Sequence, residues 1–327
     1  VSDRASVFEG IQIGVEATPG TSVPANKRLL ATMIAPSIMT EPNEFAPTGY
    51  KYETVVVNGK EWTEAGVEGV GSYIDPIYLF SSAFGAAAIT TPTGATTARD
   101  WAWAPLTTGP DAGKTFTVEQ GSSVRAEKFT GGIITALSMS YARSGITIGG
   151  SMMGQLTTDG ITLTAAPTDI ALVPIIPNQV DIYLDDTFAT IGTTKLTRCI
   201  EAGWEISDKN GPIWPLNSTN ASYAASIETK PQGSANLTLG ADSSGMALLP
   251  KMRAGQTMYL RIKATGSMIE TTIPYLHQVD IAVKILNPGE KGDSDGLRTI
   301  PWQFRVIHDS TMGGAFKVKH TANLTAL

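Results

Sequence analysis

Leu137-Ser138-Met139-Ser140-Tyr141 alternates apolar and polar residues without a break. Successive side chains of a pleated strand point to opposite faces. This period therefore sets Leu137, Met139 and Tyr141 on a core and leaves Ser138 and Ser140 in water. A strand with one wet face belongs to an antiparallel sheet, because parallel strands are covered on both faces. Arg143-Ser144-Gly145 supplies a turn, and residues 146–153 return as the next strand. Upstream, residues 115–119 read as a strand, as do 54–57 and 62–71. Asn58-Gly59 between the last two predicts a tight hairpin turn, since both residue types tolerate φ > 0. Residues 29–39 form an apolar strand broken at Pro36. Tyr73, Ile74, Ile77, Tyr78, Phe80, Ala83 and Phe84 fit a short amphipathic helix over 72–84, with Ser72 as N-cap, Pro76 in its first turn and Gly85 as its stop.

A second series of elements follows a proline-punctuated stretch. Strands are expected at 196–206, 225–229, 235–240, 258–264, 279–286 and 298–308. A second short helix is expected over 243–254, capped by Asp242 or Ser243 and ended at Gly255. The two series align piece by piece: 28–34 with 195–200, helix with helix, 116–121 with 259–263, 134–141 with 279–286, and Arg143-Ser144-Gly145 with Asn287-Pro288-Gly289. An internal repeat of this kind means one supersecondary unit used twice. The expected architecture is mainly β, with two tandem antiparallel β-sandwich or barrel domains, each flanked by a short α-helix. Its parts are an N-terminal arm (1–27), a first domain (28–160), a linker (161–194), a second domain (195–315) and a C-terminal segment (316–327).

The composition excludes several function classes. Charged residues make up only 17% of the 327, and 33 Gly and 19 Pro suit short strands joined by turns. With a net charge of −6 and no basic run, the chain lacks the patch that holds nucleic acid by releasing its counterions. Residues 1–20 carry Asp3, Arg4, Glu9 and Glu16 and no apolar run, so they read as an arm and not a signal peptide. No stretch approaches the ~20 apolar residues of a membrane-spanning helix. Cys199 is the single cysteine, so no internal disulfide forms, and His277, His308 and His320 lie too far along the sequence to pair with it as a local catalytic motif.

Candidate chemistry is thin. Gly66-Val67-Glu68-Gly69-Val70-Gly71 has the wrong spacing for a phosphate loop and reads as a glycine-rich strand. Gly292-Asp293-Ser294-Asp295-Gly296 resembles the start of a calcium loop but lacks the closing Glu, so a hairpin loop is expected. Asp181, Asp185 and Asp186 could serve glycoside hydrolysis or simply mark an acidic strand edge; the edge is the better reading. Trp101 and Trp103 sit in a Thr/Ala/Gly/Pro-rich insert (86–113), where they are expected to pack or to touch a neighbour, with sugar binding as the rival use. No catalytic residue, cofactor or metal ligand is assigned.

Glu16-Ala17-Thr18-Pro19-Gly20-Thr21 in the arm, then Arg28-Leu29-Leu30, then strands, a helix and Phe116-Thr117-Val118-Glu119-Gln120, resemble the tail tube (major tail) proteins of siphophages. The similarity runs from about residue 8 to 320 and rests on element order more than on any one motif. It implies a structural virion subunit, assembled in the host cytoplasm. Inner sheets would join edge to edge into a ring, a trimer with pseudo-sixfold symmetry or else a hexamer, and rings would stack into a tube. Tape measure and tail terminator proteins would be its partners. DNA would only pass through an acidic lumen, and no membrane is involved. Candidate bore strands are 52–71 and 223–240, with Glu61, Glu64, Glu68 and Glu228 as lumen residues. Candidate inter-ring contacts are Phe8, Ile11, Ile13, Trp101, Trp103 and Phe316. The alternative reading is another virion or surface β-sandwich, a capsid decoration protein or an adhesin.

Overall fold

A computed structural model describes residues 9–216 and 221–327, and the chain is mainly β with large antiparallel sheets. Its first half contains β1 (Gly10–Val15), β2 (Lys27–Leu29), β3 (Thr32–Phe45), β4 (Val55–Val70), α1 (Pro76–Phe84), β5 (Ala88–Thr90), β6 (Arg99–Trp103), β7 (Phe116–Gly121), β8 (Ala126–Ala142), β9 (Gly145–Gly154), β10 (Thr157–Ile161) and β11 (Thr168–Asp169). The second half contains β12 (Val180–Asp185), β13 (Cys199–Ser207), β14 (Asn210–Ile213), β15 (Ala225–Glu228), β16 (Gln232–Gly240), α2 (Ser243–Met246), α3 (Leu248–Arg253), β17 (Thr257–Glu270), β18 (Ile273–Pro288), β19 (Gly292–Ser294), β20 (Leu297–Val306) and β21 (Phe316–Ala322).

The pairing order repeats. In the first half it is β1–β7–β8–β9–β4–β3, antiparallel throughout. In the second it is β12–β17–β18–β20–β16–β13, again antiparallel. Each strand of one series has the same place in sequence and in the sheet as its counterpart, and the helix follows the same strand, β4 or β16. β8 and β18 are the long members. β8 pairs with β7 through its first residues and with β9 through its last, and so carries the chain from one layer to the other. β18 does the same between β17 and β20. The halves meet where β13 pairs with β8, from Glu201↔Ala142 to Ile206↔Leu137, and one hydrophobic core runs through both, from Ile11 to Ala322.

Local chemistry explains the departures from expectation. Asn58-Gly59 does not turn the chain; it lies inside β4, where Gly59 is the extra residue of a bulge opposite Glu41 and Pro42. A Cβ on Gly59 would fall 2.4 Å from the Asn43 amide, so glycine is needed there for close approach. The reversal comes instead between Phe45 and Val55, so β3 and β4 form a far longer ribbon than expected. The first helix starts at Pro76, not Ser72, with proline at a position that needs no N–H. All nine of its residues are buried, which makes it a central core helix and not an amphipathic one. The second helix starts as expected, with the Asp242 carboxylate accepting from the Ser244 and Gly245 N–H groups.

A directed hydrogen-bond chain crosses the core between the halves. The Tyr73 carbonyl can only accept, so His320 carries its proton on Nδ1, 3.2 Å away. His320 Nε2 then accepts from His277 Nδ1 at 2.8 Å, His277 Nε2 accepts from the Tyr141 hydroxyl at 2.7 Å, and Tyr141 accepts from Trp204 Nε1 at 3.3 Å. The chain satisfies every member only while both imidazoles are neutral. Burial lowers His277 well below the ordinary value, with the neighbouring His320 adding to the effect, and burial brings His320 down to about 4. A depressed folded-state value gives stability that is whole above the unfolded value of 6.5 and drains away as pH falls toward 4. Buried Asp75, pushed up to about 6, acts in the opposite sense between 3.8 and 6. With two histidines set against one carboxyl, we expect a net loss of stability between pH 7 and pH 5, read as a fall in the urea midpoint. A midpoint that does not move would contradict the neutral pair.

Candidate assembly surface

Most of the expected neighbour contacts lie in the core. Ile11 and Ile13 are buried in β1, which pairs with β2 on one side and β7 on the other. The arm is thus a sheet strand. Its Glu16 carboxylate ties it down by accepting from Gly20 N–H, the Thr117 hydroxyl and Gly131 N–H at 2.8–3.0 Å. Trp101 and Trp103 are 1% and 2% exposed, on β6 and not in a loop. Both stack within the core, and Trp101 Nε1 donates to the Leu324 carbonyl. Neither ring is open to a sugar or to a second copy. Phe316 packs on Phe84 and Trp204, because β21 fills the gap between β18 and β6. Phe8 lies outside the described residues.

The lumen candidates divide. Glu64 and Glu68 are exposed on one face of β4, and Glu64 accepts from Trp62 Nε1 at 3.0 Å. Glu61 belongs to the opposite set, half-buried, bonded to the Asn58 side chain. Glu228 is not a free carboxylate; it is paired with the buried Lys209. Sequence reasoning missed Glu201 and Glu205. Both are exposed on β13, and the alternation Glu201-Ala202-Gly203-Trp204-Glu205-Ile206 carries the signal.

These residues share one surface. Cross-strand register links β3, β4, β9, β8, β13, β16, β20 and the end of β18 into one continuous sheet. Glu68 opposes Met33 and Gly149, Gly149 opposes Ser138, Ser138 opposes Glu205, Glu205 opposes Ser234, and Ser234 opposes Arg305. Partners in register lie on the same face. That face carries Ser, Gly, Thr and Asn between charges: Glu64, Glu68, Glu201 and Glu205 against Arg305 and Lys284. It is wide and acidic, with short side chains across its middle strands β9, β8 and β13 and Met33 and Leu286 toward its borders.

Among the described residues, both borders of this sheet are open. β3 pairs there only with β4. Val70 N–H donates to the Ala31 carbonyl, which puts residues 33, 35 and 37 in bonding register with β4 and turns the N–H groups of Ile34 and Ile38 to the open side. Pro36, in the same set, has no donor to leave unpaired, a usual device on an edge strand. At the opposite border, residues 288–294 pair only with β20 among the described residues. Beyond the sheet, β4 loses β9 before Thr63, and the distal ribbon exposes Phe45, Tyr50, Tyr52, Val55, Val56 and Val57. Apolar residues on both faces of this two-stranded ribbon have no cover among the described residues.

The acids weighed for catalysis are committed elsewhere. Asp185 accepts from Gly192, Thr193 and Thr194 at the neck of a loop; these bonds outweigh its burial and hold it below the usual carboxylate range. Asp186 is paired with Lys251. Burial pushes the Cys199 thiol up to about 12, which makes it a poor nucleophile. No protein-family model matches the chain, and no curated protein matches it.

Proposed function

We propose that the chain is a structural subunit that closes with copies of itself into a ring and stacks into a tube, as in a siphophage tail. The observation that carries this reading is the seam already present inside the chain. β13 of the second half pairs with β8 of the first. β3 holds in the first half the place that β13 holds in the second. Residues 288–294 hold in the second half the place of 137–142, since Val70–Thr147–Ser140 and Gly240–Thr299–Gly292 are matching rows. The repeat therefore leaves one half-seam at each border, and the two halves of it fit between successive copies. Closing them removes every open border of the sheet. A trimer then has six equivalent-looking seams, three within chains and three between them.

The acidic face lines the bore in this reading. It repels phosphate and offers DNA no hold during passage, so transit is unhindered. The distal ribbon of β3 and β4, not the arm or the C-terminal strand, meets the next ring. Tape measure and terminator proteins would be the partners at the tube's ends. Negative-stain images of the purified protein should show hollow tubes or rings; monomers alone at high concentration would contradict the reading. Val56→Asp puts a charge into the ribbon contact and should leave rings that do not stack, seen as short annuli in the same images.

A further inference from the structure

Lys209, Asp111 and Glu228 form a cluster that no part of the assembly reading uses. Their side chains are 3%, 4% and 13% exposed. Lys209 stands just before β14, with its backbone pinned by Thr135 and Thr229. Asp111 comes from the long loop after β6, where its Oδ1 accepts from Leu106 N–H at 2.8 Å. Lys209 Nζ is 2.6 Å from Asp111 Oδ2 and also contacts Glu228 Oε1, while Glu228 Oε2 accepts the Asp111 N–H. The Phe84 ring lies 6.0 Å from the amine. One ammonium and two carboxylates are thus held together out of water against an aromatic wall, an arrangement that carries a desolvation cost and fixes the amine against the Asp111 carboxyl group.

We propose that Lys209 and Asp111 join through a side-chain amide bond, formed by the folded protein itself with Glu228 carrying the protons. The amine passes one proton by way of Glu228 to Asp111, leaving a neutral amine beside a neutral carboxylic acid. Nζ attacks Cγ of Asp111; the C–N bond forms. Glu228 takes a proton from the nitrogen and returns it to the departing hydroxyl, the C–O bond breaks, and one water leaves. Protons and electrons balance, Glu228 ends as it began, and no oxidant or other reactant is needed. An oxygen at 2.6 Å places the adjoining carbon about 3.5 Å from the amine, within attack distance, and fixed proximity of this kind replaces chemical activation. The product ties the β6–β7 loop of the first half covalently to the β14–β15 hairpin of the second, independently of any ring.

Intact mass under denaturing conditions tests this directly. The bridged chain should weigh about 18 Da less than its sequence, the mass of one water. Tryptic digestion should then yield residues 100–114 joined to residues 199–251, uncut at Lys209. Glu228→Gln keeps the shape and most hydrogen bonds but cannot relay protons, so it should show the full mass, as should Lys209→Arg. A wild-type chain of full mass would overturn the proposal and leave an ion cluster only. A deficit confined to one peptide, or one that persists in Lys209→Arg, would overturn it equally.

Discussion

Ile38→Pro should yield a folded, soluble monomer that forms no rings and no tubes. Ile38 is 56% exposed, so its side chain contributes little to the core. Its N–H faces the open border of β3, away from β4, so proline removes no bond within the chain. Between copies the effect is large. The substitution deletes a donor and puts a ring where the next strand must lie, leaving an acceptor unpaired at a cost of about 1–3 kcal/mol at each such contact, with the steric clash added. In the proposed trimer, with three such seams to a ring, the loss is about 3–9 kcal/mol, which lowers assembly at micromolar concentration by orders of magnitude. Circular dichroism like the wild type, a monomer in sedimentation and empty grids are the expected set. Normal tubes would show that β3 is not the seam.

Phe80→Ala should destabilise the chain by about 3–5 kcal/mol, the cost of a large core cavity. Phe80 is fully buried on α1, and its ring contacts Phe84, Trp103, Trp204, His277 and His320. Those partners come from both halves, so the cavity opens at the point where the halves share their core. The loss should be read from the urea midpoint, and Phe80→Leu should recover most of it. A cost below about 1 kcal/mol would mean that the two halves are held together by their β8–β13 pairing and not by this cluster.

Much of this was legible in the residues, and the failures have physical causes. The alternation at 137–141 correctly gave inward Leu137, Met139 and Tyr141, because period two survives wherever one sheet face is wet. The repeat was readable because both halves keep the same order of strand, helix and strand, although few residues match. Trp101 and Trp103 were misplaced because the surrounding Thr, Gly and Pro read as loop. The triplet itself alternates, with Ala102 exposed between two buried rings, and that local signal was the better guide. Phe316, Val318 and His320 alternate in the same way, yet a terminal segment was expected to reach outward. Glu228 is misplaced by the sequence for a different reason. It stands near Pro231 and Gly233 in a stretch that reads as a bore strand, whereas its burial beside Lys209 depends on a loop more than 100 residues away. No local pattern records such a contact. Open borders, too, are a property of the finished topology and not of any strand.

The most direct measurement is a cryo-EM reconstruction of the self-assembled protein, traced across the boundary between neighbouring copies. Antiparallel density in which β3 of one copy lies beside residues 288–294 of the next, with Glu64, Glu68, Glu201 and Glu205 facing an open channel, is the expected result. Copies whose sheets end without touching, or a solid particle with that acidic face turned outward, would contradict it.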